Sequence, residues 1–275
     1  MAVNLAQKYS SVLDQVFTAG SYTDKYVNKK YDFDGVQTIN VYTVTTVEPT
    51  NYNRAETGDR FGGNNELQNI VTPYTLNNDK SFKLVIDRGN YEQTALAEKA
   101  GAVMKAEMEE RVIPMIDADR IKAAATGATA VSQAITAGSN AYTDILKAEA
   151  FLDEDKAPVE GRVLFVTPGY YNTIKEYITT TMHADTYSSK LISRGYVGEL
   201  DGIPVVKVPT SYFPAKTNAV LWHRDALLGA KQIMNTRIKT DSELVDGTLL
   251  LGRFIYGSFV LNGKKKSVAS IVSGS

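Results

Sequence analysis

The clearest pattern in the chain is a strict alternation. From Thr38 to Val47 the run TINVYTVTTV sets Ile39, Val41, Thr43, Thr45 and Val47 against Asn40, Tyr42, Val44 and Thr46. Nearly every residue is β-branched and fits a pleated surface, so a strand is expected. Phe82, Leu84 and Ile86 repeat the same period further on. The segment between, Glu48 to Asn69, is polar and holds Pro49, Gly58, Gly62 and Gly63, yet it keeps Tyr52 and Phe61. Thr38 to Asp87 therefore reads as one extended hairpin with a large tip. Before it, Val12, Val16 and Phe17 predict a short helix over Tyr9 to Ala19 on an extended arm.

The period then changes to 3.6. Leu96, Ala100, Val103, Met104, Met108, Val112, Met115 and Ile116 form one stripe, predicting the longest helix between Tyr91 and about Lys122. Pro114 lacks an amide donor and crowds the carbonyl one turn back, so a kink or break is expected there, with a second short piece after it. The Gly, Ala and Thr-rich run Thr126 to Asn140 reads as a connector and as the best boundary in the chain.

Beyond it, Tyr142, Ile145, Leu146, Glu149 and Leu152 predict an amphipathic helix, and RVLFVT (Arg162 to Thr167) a buried strand. Thr167 and Pro168 suit the N-cap and first position of a helix whose Tyr170, Ile174, Tyr177 and Ile178 face one way. Asp201 and Gly202 supply the positive φ angles of a tight hairpin turn, with Ile203 to Val208 as its return strand. Ala219 to His223 reads as a strand, Arg224 to Ala230 as a short helix, and the remainder to Val272 as β-rich, with turns at Gly247 and Gly263. The fold class is α+β.

Composition narrows the function more than it names one. The 275 residues are 43% hydrophobic and 22% charged, which excludes a wholly disordered, collagenous or coiled-coil chain. A formal charge of −1 gives no bulk field toward nucleic acid or anionic lipid. The first residues lack the basic start and apolar core of a secretory signal, so synthesis in the cytoplasm is expected. The charge-free run Ala123 to Thr143 is too polar for lipid, and no membrane span is expected.

Candidate chemistry is sparse. Cysteine is absent, which removes disulfides, thiolate metal sites and thiol nucleophiles. The two histidines, His183 and His223, fall in different elements without an H-E-x-x-H pattern, and no G-x-S-x-G elbow occurs. Gly257 to Lys264 has one residue too many for a phosphate loop, with Lys265 where Ser or Thr belongs. In the acidic triplet Asp153, Glu154 and Asp155, Pro158 takes the place of the glycine a calcium loop requires, so a solvated helix end is expected. Lys264, Lys265 and Lys266 read either as a weak phosphate contact or as a guarded strand edge. The 16 tyrosines are spread along the chain, which suits broad interfaces. No catalytic residue, cofactor or metal ligand is expected, and the chain does not read as an enzyme.

The order of parts is more telling than any single site. DFDGVQTINVYTV (Asp32 to Val44), NNDKSFKLVID (Asn77 to Asp87), RVLFVTPGYYNTI (Arg162 to Ile174), VGELDGIPVVKVP (Val197 to Pro209), AVLWHRDAL (Ala219 to Leu227) and GRFIYGSFVLN (Gly252 to Asn262) follow one another as in a known family. In this order the chain resembles the major capsid protein of tailed bacteriophages, the Hong Kong 97-type fold. The resemblance implies an N-terminal arm (1–37), an extended loop (38–87), a peripheral domain with its spine helix (88–128 and 221–275) and an axial domain (129–220). It implies a virion shell of pentamers and hexamers around double-stranded DNA held without sequence specificity. A portal protein is implied as partner, and a separate scaffolding protein, since the chain has no room for a fused scaffold. Tyr52, Arg54, Arg60 and Phe61 in the hairpin tip become expected subunit contacts, because Arg and aromatic anchors dominate interface energetics. The alternatives are an encapsulin-like nanocompartment shell and a tail-associated or carbohydrate-binding virion protein.

Overall fold

A computed structural model of the chain describes residues 20–31, 33, 37–44, 46–55, 57–58, 60–61, 66, 69–88, 100–131, 135–137, 141–181, 198–240 and 246–273. The expected helix at Tyr9 to Ala19, the start of the long helix before residue 100, and His183 lie outside them.

The strands are β1 (Thr38–Val44), β2 (Asn69–Thr75), β3 (Asn78–Asp87), β4 (Ile135–Ala137), β5 (Arg162–Val166), β6 (Glu199–Leu200), β7 (Ile203–Lys207), β8 (Thr217–His223), β9 (Leu227–Lys239), β10 (Gly247–Val260) and β11 (Val268–Ser273). The helices are α1 (Ala100–Glu107), α2 (Ile113–Val131), α3 (Ala141–Glu154) and α4 (Pro168–Thr181), with a π turn over Met108–Val112 joining α1 to α2. The chain is thus a mixed α+β fold, and its described residues form the sheets β1-β2, β3-β10-β9 and β4-β11-β8-β5-β7-β6.

The six-stranded sheet organises one body. Its strand β5 is buried throughout, and its alternate residues enter two different cores. Leu164 and Val166 pack with Ile145, Ala148, Leu152 and Ile174 of α3 and α4. Val163 and Phe165 face Ile121, Ala124 and Ala128 of α2, together with Trp222, whose ring stacks on Phe165 at 4.3 Å. A strand covered on both faces must be apolar at every position, which is why RVLFV lacks alternation. β11 comes from far along the sequence to lie between β4 and β8, with Ala269 and Ile271 fully buried. Thr167 caps α4 through its hydroxyl, which accepts from the Tyr170 amide at 3.4 Å. Asp201 (φ 50°) and Gly202 (φ 79°) turn β6 into β7 with Leu200 opposite Ile203, as the dipeptide predicts.

Several expectations are corrected. The strand bearing Phe82, Leu84 and Ile86 does not return on β1: the hairpin partner is β2, and β3 pairs with β10 instead. The expected interruption of the long helix falls just before Pro114, as the π turn, but the piece after it is long rather than short. There the Ile113 amide bonds the Met108 carbonyl five residues back, and α2 then runs on to Val131. The first part of the expected connector, Thr126 to Val131, is the end of α2, where Gly127 serves close packing: a Cβ there would sit 2.4 Å from Val260 Cγ2. Leu146 of α3 is exposed, and the buried stripe is Ala141, Ile145, Ala148 and Leu152. In place of the expected helix over Arg224 to Ala230, Arg224 to Ala226 is a turn and Leu227 to Ala230 open β9, with Leu227 and Leu228 buried. Lys264, Lys265 and Lys266 lie in a 3₁₀ turn, Asn262–Ser267, not on a strand edge.

Candidate functional site

Among the described residues β1 and β2 form a sheet of their own, and its two faces differ. Directly opposed residues of antiparallel strands share a face. Ile39 opposite Tyr74 and Val41 opposite Thr72 turn inward, toward Leu76, Phe33, Leu261 and Phe259. Tyr74 is held from both sides, its ring 5.6 Å from Phe259 and its hydroxyl accepting from the Asn262 amide at 2.8 Å. The opposite face carries Tyr42 against Val71 and Asn40 against Pro73, with Val44 beyond them. Tyr42 is 68% exposed, Val44 55% and Val71 47%, so this face is apolar and uncovered within one copy of the chain.

All four residues singled out in the sequence meet at the tip. The Asn53 amide donates to the Arg60 carbonyl at 3.1 Å, and the Thr50 hydroxyl donates to the Phe61 carbonyl at 3.2 Å. These bonds bring the Tyr52 and Phe61 rings to 5.1 Å, edge to face. Arg54 and Arg60 are close chain neighbours of Tyr52 and Phe61 in their turn segments, where the Asn53 side chain accepts from the Ala55 amide at 3.1 Å. Phe61 is 83% exposed. Burying such a ring on another surface contributes about 1.5–3 kcal/mol.

A second constellation, which sequence reasoning missed, fixes the segment before the hairpin. Asp117 and Arg120 of α2 are both buried and stand 3.7 Å apart. Asp117 accepts from the Ser21 hydroxyl at 2.7 Å, the Tyr22 amide at 2.8 Å and the Thr23 hydroxyl at 2.5 Å. Arg120 donates to Thr23 at 3.0 Å and reaches Asp24 at 3.3 Å. Burial opposes ionisation of Asp24, but Lys29, Lys231 and Arg120 together outweigh it and hold the carboxyl well below its usual range. The Tyr26 carbonyl accepts from Trp222 Nε1 at 2.9 Å, and Asn28 bridges to the start of β9. The signal was present as two charged residues on the apolar stripe of a helix.

Glu149 repeats that lesson on α3. Its Oε1 is buried without a hydrogen-bond partner, and burial first, then Asp201 and Asp153, raise its pKa to about 7 against the pull of Arg162. Asp153, Glu154 and Asp155 form a helix end tied by ion pairs, Asp153 to Arg162 at 2.6 Å and Asp155 to Lys266 at 3.9 Å. His223 has a local role: Nδ1 accepts from the Asp225 amide at 3.2 Å, so Nε2 carries the proton donated to the Glu160 carbonyl at 3.0 Å. Among the described residues no cluster of three His, Asp or Glu could hold a metal ion, and no helix is long and apolar enough to cross a membrane.

No protein-family model and no curated sequence matches the chain. Solved structures do. A chain from Mycobacterium phage Che8 superposes with a TM-score of 0.71 at 18% identity, covering 98% of each chain. The capsid structure of cyanophage P-SCSP1u gives 0.72 at 14% identity, over 99% of this chain and 94% of that one. The capsid of Ralstonia phage GP4 gives 0.67 at 12% identity, over 99% and 96%. The fold of this chain is therefore that of these phage structures.

Proposed function

We propose that the chain is a major capsid protein whose copies self-assemble into the icosahedral shell enclosing the double-stranded DNA of a tailed bacteriophage. The observation that carries this reading is the extent of the likeness. Phage capsid structures are matched over nearly the whole of both chains, not over a shared subdomain. The hairpin supports it physically. A two-stranded ribbon is marginal in water unless something covers it, and here one apolar face is left open.

In this reading the fold is of the Hong Kong 97 type. Residues 1–37 are the arm, 38–87 the extended loop, 88–128 and 221–275 the peripheral domain with its spine helix, and 129–220 the axial domain. The hairpin lies across a neighbouring subunit, and Tyr52, Arg54, Arg60 and Phe61 anchor it there, the rings through desolvation and the guanidinium groups through hydrogen bonds to acceptors on the neighbour. Binding energy is spread over large interfaces around pentamers and hexamers. A scaffolding protein and a portal protein are the partners during assembly. The protein is made in the host cytoplasm, ends in the virion and has a structural rather than catalytic role.

The test is direct. Purified protein, alone and with co-expressed virion proteins, is sized by light scattering and viewed by negative-stain microscopy, and the expected result is closed shells. A stable monomer under all these conditions refutes the proposal. Shells from infected cells are expected to protect DNA from nuclease; protein cargo without DNA would assign a nanocompartment instead.

A further inference from the structure

The outward face of the β3-β10-β9 sheet carries cations in register. Strand pairing sets three rows side by side: Ser81, Arg253 and Asn235; Lys83, Leu251 and Arg237; Val85, Leu249 and Lys239. The first two rows line an open groove of about 640 Å³ whose lining, among the described residues, holds no carboxylate. Arg253 is committed to Asp79 by two bonds, at 2.6 and 3.1 Å. Lys83, Arg237 and Lys239 are exposed and form no ion pair among the described residues.

The same face of β3 also bears Asp79, spent on Arg253, and Asp87 beyond the third row, so the unpaired positive charge gathers at the groove between them. Lysines on edge strands guard against sheet-to-sheet pairing, and β3 and β9 are both edges of this sheet. Guarding does not require the cations to converge on one face around a groove that also offers the Ser81 hydroxyl and the Asn235 amide. Cations and neutral donors lining one groove, with the nearest carboxylate, Asp79, already taken up by Arg253, are the chemistry that meets a phosphate backbone without reading bases.

We propose that this groove is a contact for the backbone of double-stranded DNA. Its orientation toward the lumen of a shell rests on the capsid reading; the contact itself does not. Three charges give a weak, salt-sensitive grip, as suits DNA that must enter and leave.

The probe is a short mixed-sequence duplex, titrated with the full chain by fluorescence anisotropy over a series of salt concentrations. Three phosphate contacts give a slope of log K against log salt of about −2.7. Replacing all three cations with glutamine (K83Q, R237Q and K239Q together) is expected to bring the slope near zero and weaken low-salt binding by roughly tenfold or more. The charge-conserving set K83R, R237K and K239R is expected to keep the slope, which separates charge from folding. Equal slopes for wild type and the glutamine variant overturn the contact, as does binding of poly-glutamate in place of the duplex. Negative-stain images of the same samples keep the two readings apart. An unchanged slope for unassembled subunits, in which the groove is open to the duplex, refutes the groove alone, and a chain that never assembles refutes the lumenal orientation whatever the slope shows.

Discussion

At the scale of single residues, two positions are set by what touches them. Gly127 lies on α2 where the helix meets Val260, and Gly127→Ala brings a Cβ within 2.4 Å of a stiff, β-branched side chain. Alanine is better than glycine in a helix by about 1 kcal/mol. The overpacking here costs more, so a net loss of about 1–2 kcal/mol is expected in urea denaturation. Glu149 carries a pH dependence. Its folded pKa, about 7, lies above the ordinary 4.5, so between these values the folded state binds more protons than the unfolded one. Stability then falls as pH rises from 4.5 to 7, and the loss is complete above 7. Glu149→Gln is expected to remove that decline, measured as Tm against pH. A Tm profile identical to wild type would show that the carboxylate is solvated after all.

At the scale of elements, the buried pair on α2 clasps the segment 21–28. Asp117→Ala deletes the acceptor for Ser21, Tyr22 and Thr23 and leaves Arg120 buried beside a vacated partner. A loss of about 3 kcal/mol is expected, with faster tryptic cleavage after Lys25 and Lys29 as the readout. Elements whose signal is local were legible in the sequence: the two-sided burial of RVLFV, the Thr167 cap, the Asp201-Gly202 turn. Elements whose meaning depends on a distant partner were not. Phe82, Leu84 and Ile86 alternate as a strand must, but alternation carries no information on which strand is paired, and β10 lies far along the chain. The Gly and Ala of α2 looked like a connector because small residues serve both loops and close helix packing. At the tip, residue type alone picked out Tyr52, Arg54, Arg60 and Phe61, and the fold brings the two rings together. The uncovered pair Tyr42 and Val71 was missed, since an alternating strand does not say which of its faces is covered.

At the scale of the whole molecule, the fold separates what stabilises a copy from what would join copies. The tip rings are exposed and far from the cores, so Tyr52→Ala with Phe61→Ala is expected to leave the unfolding midpoint of the subunit within about 0.5 kcal/mol of wild type. The same change is expected to abolish or sharply reduce closed particles in negative stain. Normal particle yield would remove the tip from the interface. The placement of β11 has a consequence in time. Because β11 fills a gap between β4 and β8, a ribosome that has not yet released residue 273 holds a chain whose largest sheet is still split. Until residues 268–273 emerge, β4 stays apart from β8, and the core that takes in Ala269 and Ile271 cannot close around α3.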